Sequence, residues 1–182
     1  MKLIKTDIEG LLILEPKIFE DNRGSFIKTF NDDFFQKNGL RINIKETYYS
    51  ISNKNVIRGM HFQTPPFEHL KLVYVPFGKI LDVVLDIRKN SITYGEYFQI
   101  ELSDKNGKIL IVPKGLAHGF KSLEENTNVT YMQTSIYAAS NDGGVRFDSF
   151  GFDWKLDNPS ISDRDRSFLK LKDFNTPFFG NN

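Results

Sequence analysis

Ile80-Leu-Asp-Val-Val-Leu-Asp-Ile-Arg88 is the stretch that decides the fold. Leu81, Val83, Leu85 and Ile87 fall on one face of an extended chain, and Asp82, Asp86 and Arg88 on the other. That period of two marks a strand. Working outward, residues 11–15, 72–76, 97–102, 109–113 and 129–137 read as further short strands. Lys105-Asn-Gly107 and Asn141-Asp-Gly-Gly144 read as turns between them. Helix is sparse. Asn31 can cap a helix over 32–38 that Gly39 stops, and Ser162-Asp-Arg-Asp165 opens another short one. Many short strands predict an all-β jelly-roll barrel or sandwich with a few short helices. No repeat, low-complexity tract or linker divides residues 1–182, so a single domain is expected.

The chain has 182 residues, enough for one domain with a real core. Hydrophobic content of 40% with 26% charged residues describes a globular protein. A net charge of +1 supplies no field for nucleic acid or a membrane surface, and no apolar run approaches the roughly 20 residues of a bilayer span. Cysteine is absent, which excludes disulfides, thiolate metal sites and a cysteine nucleophile. The first ten residues lack the apolar core of a signal peptide, so a cytoplasmic location is expected.

Two glycine-flanked islands hold two of the three histidines: Asn55-Val-Ile-Arg-Gly-Met-His-Phe-Gln63 and Pro113-Lys-Gly-Leu-Ala-His-Gly-Phe120. A neutral imidazole beside fixed cations suits removal of a proton whose departure leaves negative charge behind. His61 is the candidate base. Simple alternation puts Arg58 and His61 on opposite faces, and a bulge at Gly59 would bring them to one side. Along residues 129–137, alternate positions Tyr131, Gln133, Ser135 and Tyr137 share a face, and a tyrosine pair there suits a sugar cavity. With Ser162 as N-cap, Asp165 stands where a carboxylate completes a capping box.

The islands, together with Asp86-Ile-Arg-Lys-Asn-Ser-Ile-Thr-Tyr-Gly95, Asp21-Asn-Arg-Gly-Ser-Phe26 and Ile161-Ser-Asp-Arg-Asp165, resemble the dTDP-4-dehydrorhamnose 3,5-epimerase family over about residues 12–165. The resemblance implies a cupin-type jelly roll, a homodimer, no cofactor, and epimerisation beside the ketone of a nucleoside-diphosphate 4-keto-6-deoxysugar. It implies His61 as base, Asp165 as its carboxylate partner, Tyr131 as proton donor and Lys71 near the substrate oxygen. It further matches Arg23 and Arg58 to the diphosphate, Phe26 to the substrate contacts, Tyr137 to the pocket wall, and Asp82 with His118 to a second polar cluster.

The chain departs from the family at the nucleotide. Lys28 stands where an acidic residue is usual, and the usual Gln-x-Asn is Glu46-Thr-Tyr48. A lysine that donates to N3 and a glutamate that accepts from an amino group would suit cytosine, provided both reach the base. A CDP-linked sugar is therefore the alternative. Other readings are a sugar-nucleotide 3,4-ketoisomerase, a non-catalytic sugar-binding module, and a metal cupin drawing on His61, His69 and His118. Against the last, the tight His-x-His pair is missing and Pro65-Pro66 separates His61 from His69. No metal is expected.

Overall fold

The structure, a computed structural model, describes residues 1–180. Two antiparallel sheets dominate it. One runs in the order β1 (Lys2–Lys5), β2 (Leu12–Glu15), β10 (Ile109–Val112), β7 (Lys71–Phe77), β12 (Thr127–Gln133), β5 (Glu46–Ser52). The other runs β13 (Asp142–Gly144), β6 (Ile57–Gln63), β11 (Leu116–Ser122), β8 (Lys79–Asp86), β9 (Tyr97–Ser103). The strands β3 (Ile18–Asp21) and β4 (Gly24–Ile27) form a separate hairpin, and the helices are α1 (Asp32–Lys37) and α2 (Asp163–Ser167). Asn31 caps α1 through its Oδ1, which accepts from Phe34 N at 2.9 Å, and Gly39 follows with φ +78°.

The inner faces of the sheets meet in an apolar core, with Val73, Val75, Leu110 and Val129 from one and Ile80, Val84 and Phe120 from the other. The outer faces are covered as well. Phe147, Phe152, Trp154 and Phe178 lie with Met60, Phe62, Val83, Leu85 and Ile87. Phe35 and Ile42 lie with Leu72, Ile109 and Ile111. Burial on both faces explains why β10 is apolar at every position instead of alternating. This is the jelly roll that the strand pattern predicts.

The polar face of residues 80–88 turns inward: Ile80 and Val84 on that side enter the inter-sheet core, and Asp82 and Asp86 are fully buried. Buried carboxylates require partners. Asp86 accepts from Arg88 Nε at 2.9 Å and from the hydroxyls of Ser91 and Thr93 at 2.7 Å each. Two local readings need correction. First, β12 ends at Gln133, because its neighbour β7 begins at Lys71, the residue paired with Gln133. Beyond it the Thr134 N–H turns to Leu70 O. Tyr137 is therefore not on that strand. Secondly, Asn141-Asp-Gly-Gly144 is no simple turn, since Asp142–Gly144 is the edge strand beside β6. A Cβ on Gly144 would stand 2.6 Å from Met60 O, so glycine is there for close approach.

Among the described residues, no helix is long and apolar enough to cross a membrane.

Candidate active site

The site begins with an irregularity in β6. Along β11, Phe120 pairs with Arg58 and His118 with His61, so β6 spends one extra residue over that interval. The bulge contains Gly59, whose φ is +141°, and a Cβ there would lie 2.5 Å from Gly119 Cα. Only glycine combines that conformation with that approach. The consequence is that Arg58 and His61 both line one cavity of about 200 Å³, with Tyr48, Lys71, His118 and Tyr131. A neighbouring cavity of about 310 Å³ shares Tyr48, His61 and Lys71 and extends to Glu46, Gln133 and Tyr137.

His61 Nε2 lies 2.8 Å from Asp165 Oδ1. The other carboxylate oxygen accepts from Gly59 N at 3.0 Å, and Asp165's own N–H donates to Ser162 Oγ at 3.1 Å. The helix start and the bulge are thus tied through one side chain. Burial by itself raises the Asp165 carboxyl, but its bonds to His61, Gly59 and Ser162 more than offset this and hold it below the usual carboxylate range. An ionised Asp165 accepts a hydrogen bond from Nε2–H, which leaves the lone pair on Nδ1, the tautomer a base requires.

Tyr131 and Lys71 come from the opposite sheet. Tyr131 is buried and stacks on Tyr48 with ring centroids 4.8 Å apart. Burial, with Tyr48 next to it, pushes the Tyr131 phenol well above its ordinary value. It is held protonated, a stored proton facing the cavity. Burial also raises Tyr48, with Glu46 and Asp142 adding to the effect, to about 12. Lys71 is buried rather than solvated, and burial lowers its amine to about 8 against the opposing pull of Asp82 and Asp142. His118 Nε2 lies 2.7 Å from Asp82 Oδ2, so the expected second polar cluster forms.

The remaining residues divide. Arg58 bonds Ser52 Oγ through Nε at 3.1 Å. Glu46 and Tyr137 reach the larger cavity, where Glu46 Oε2 accepts from Tyr137 N at 2.6 Å. Arg23 and Phe26 lie on the exposed β3–β4 hairpin and Lys28 follows it; none lines either cavity. Lys28 and Glu46 are therefore not brought together around one pocket. Gln133 lines the larger cavity, as its shared parity with Tyr131 predicts, whereas Phe62, Asp142 and Arg164 escaped the sequence reading. Arg164 lies inside the Ser-Asp-Arg-Asp motif and pairs with Asp142 at 2.6 Å, a contact across the fold that no local signal announces.

The three histidines do not converge. His61 and His118 each hold an aspartate, and His69 Nδ1 lies 3.3 Å from Gln63 Nε2. Burial, with Lys71 nearby, lowers His69 to about 4, so it is neutral. Among the described residues, no group of three or more His, Cys, Asp or Glu side chains is arranged to hold a metal ion.

Comparisons with known proteins point the same way. The sequence model of the dTDP-4-dehydrorhamnose 3,5-epimerase family matches residues 5–173. The dTDP-4-dehydrorhamnose 3,5-epimerase of Methanothermobacter thermautotrophicus is 41% identical over 177 residues, covering 94% of this chain and 95% of that one. The crystal structure of the Elizabethkingia anophelis enzyme of the same name superposes with a TM-score of 0.89 at 35% identity, covering 97% of this chain and 99% of that one. The Legionella pneumophila dTDP-6-deoxy-D-glucose-3,5-epimerase, solved with dTDP-4-keto-L-rhamnose, gives 0.93 at 30% identity with 99% of each chain covered. With sequence and fold agreeing over almost its whole length, the chain belongs to the dTDP-4-dehydrorhamnose 3,5-epimerase family, isomerase-class enzymes on a cupin-type jelly roll.

Proposed function

We propose that this enzyme epimerises a dTDP-linked 4-keto-6-deoxyhexose, with His61 as base and Tyr131 as acid. The observation that carries the reading is their placement. His61 stands on β6 and Tyr131 on β12, in different sheets, and both line one cavity. Inversion needs this: one group removes a proton from a carbon beside the ketone, and another delivers a proton to the opposite face. His61 Nδ1 takes the first proton, and Asp165 stabilises the imidazolium that forms. Lys71 donates to the ketone oxygen as it becomes an enolate. The Tyr131 hydroxyl reprotonates the carbon, after which His61 releases its proton to solvent and Tyr131 takes one back. No step calls on a cofactor.

Arg58 suits a diphosphate by its forked geometry, and Arg164 adds a second guanidinium at the cavity wall. The nucleotide contacts assigned to Arg23, Phe26 and Lys28 require the exposed hairpin of a second copy, in keeping with a homodimer. Thymidine is the base of this reading. The cytosine alternative needs Glu46 free for an amino group, and its carboxylate already accepts from Tyr137 N. The same reading places the enzyme in the cytoplasm.

The test is proton NMR in deuterated water with dTDP-4-dehydro-6-deoxyglucose, following exchange at C3 and C5 separately. Exchange at neither carbon would defeat the reading. Tyr131→Phe is expected to keep exchanging deuterium while losing inversion. An unimpaired yield of inverted product would remove Tyr131 as the acid.

A further inference from the structure

Past the end of β12 the chain has no strand neighbour to hold it, yet side chains hold the backbone around Tyr137. Gln63 Nε2 donates to Ile136 O at 3.1 Å, and Gln63 Oε1 accepts from Ala138 N at 2.7 Å. Glu46 Oε2 accepts from the N–H between them, Tyr137 N, at 2.6 Å. Two successive peptide groups are thus held by three side-chain bonds, as a neighbouring strand would hold them. Gln63 is buried at the end of β6 and Glu46 begins β5, so the grip joins both sheets. Ile136 and the Tyr137 ring are themselves exposed, so apolar packing of those side chains does little to fix the segment.

We infer that Gln63 and Glu46 are positioning residues that act through Tyr137, fixing its ring at the cavity mouth against the sugar. The inference rests on the proposed function, in which Tyr137 touches substrate. It also reassigns Glu46, which holds protein backbone instead of nucleotide. An exposed ring on a free segment would sample many placements, and each ordering cost would fall on substrate binding and on alignment of the reacting carbon. A carboxylate bond to a backbone N–H is among the stronger single tethers available.

A double-mutant cycle separates the two roles of Glu46. Glu46→Ala is expected to lower kcat/KM about tenfold, the scale of one such bond, and Glu46→Gln to restore most of it by keeping an acceptor. In a Tyr137→Ala background the Glu46→Ala change should cost less than about twofold, since the ring it positions is gone. Fully additive losses would show that Glu46 acts on substrate directly and would overturn the inference while leaving the proposed reaction intact. A Tyr137→Ala enzyme equal to wild type would overturn both the inference and the role given to Tyr137. Amide hydrogen exchange on the ligand-free protein tests the grip without reference to activity. The Tyr137 and Ala138 amides should be protected, with Tyr137 losing protection in Glu46→Ala and Ala138 in Gln63→Leu. Unprotected amides in the wild type would refute the inference.

Discussion

The protein contains two histidine–aspartate pairs that are alike in length and unlike in setting. His61 and Asp165 meet at 2.8 Å, His118 and Asp82 at 2.7 Å. The His61 side chain is 29% exposed, and both oxygens of its aspartate are used, the second by Gly59 N. The His118 side chain is 4% exposed, and Asp82 is fully buried, with Oδ1 unpartnered among the described residues. In the proposed reaction the more exposed pair is the proton-transfer unit. The nearly enclosed pair, whose imidazole also borders the smaller cavity, is a fixed polar post beside Tyr131, whose ring lies 6.2 Å from that of His118. Access, not the hydrogen bond, separates the roles.

The largest effect should come from exchanging the bases of the two pairs for asparagine in turn. His61→Asn is expected to fold normally and lose roughly 100-fold to 10,000-fold in solvent exchange at every carbon the wild type exchanges, the range for loss of a general base. His118→Asn should lose only about tenfold, the scale of one positioning hydrogen bond. Equal losses, read by deuterium incorporation, would erase the distinction.

Lys71 sharpens the comparison through pH. Its ammonium is the form that stabilises an enolate, so kcat/KM should fall as pH rises through about 8, where burial has placed its pKa. The negative charge of Asp82 favours that ammonium. Asp82→Asn should therefore move the alkaline limb to lower pH, whereas Asp165→Asn should leave its position unchanged while lowering the plateau. The stability sign follows from the same depression. The folded pKa lies below the ordinary 10.5, so the unfolded chain binds more protons between the two values and stability rises with pH across that window. A limb that ignores Asp82→Asn would detach the enclosed pair from Lys71.

The smallest expected effect is on stability itself. Asp82→Asn leaves a buried amide without a full set of partners and should cost about 1–3 kcal/mol in denaturant unfolding. Asp165→Asn, nearer the cavity, should register mainly in rate. A stability loss confined to the Asp165 variant would reverse the assignment of structural and chemical pair.

Much of this arrangement is local and was legible from the chain. The period of two over residues 80–88 marks a strand, Asn31 and Ser162 announce helix starts, and Gly59 signals a bulge, because each depends on backbone preferences within a few residues. What escaped depends on distant segments. The 141–144 segment became a strand because β6 lay free at that edge. Arg164 reaches the cavity wall by pairing with Asp142 across the fold.

By itself, the sequence determined the all-β class, the two histidine islands and the family to which they belong. Only the tertiary structure decided which of the two cavity histidines is the more exposed, that Arg58 and His61 share the cavity with Tyr131 from the other sheet, and that Glu46 and Gln63 grip the backbone at Tyr137. The physical reason is range. Strand period and capping are written within a few residues of one another, whereas burial, and the pKa shifts and hydrogen-bond partners it forces, exist only once separate strands have packed.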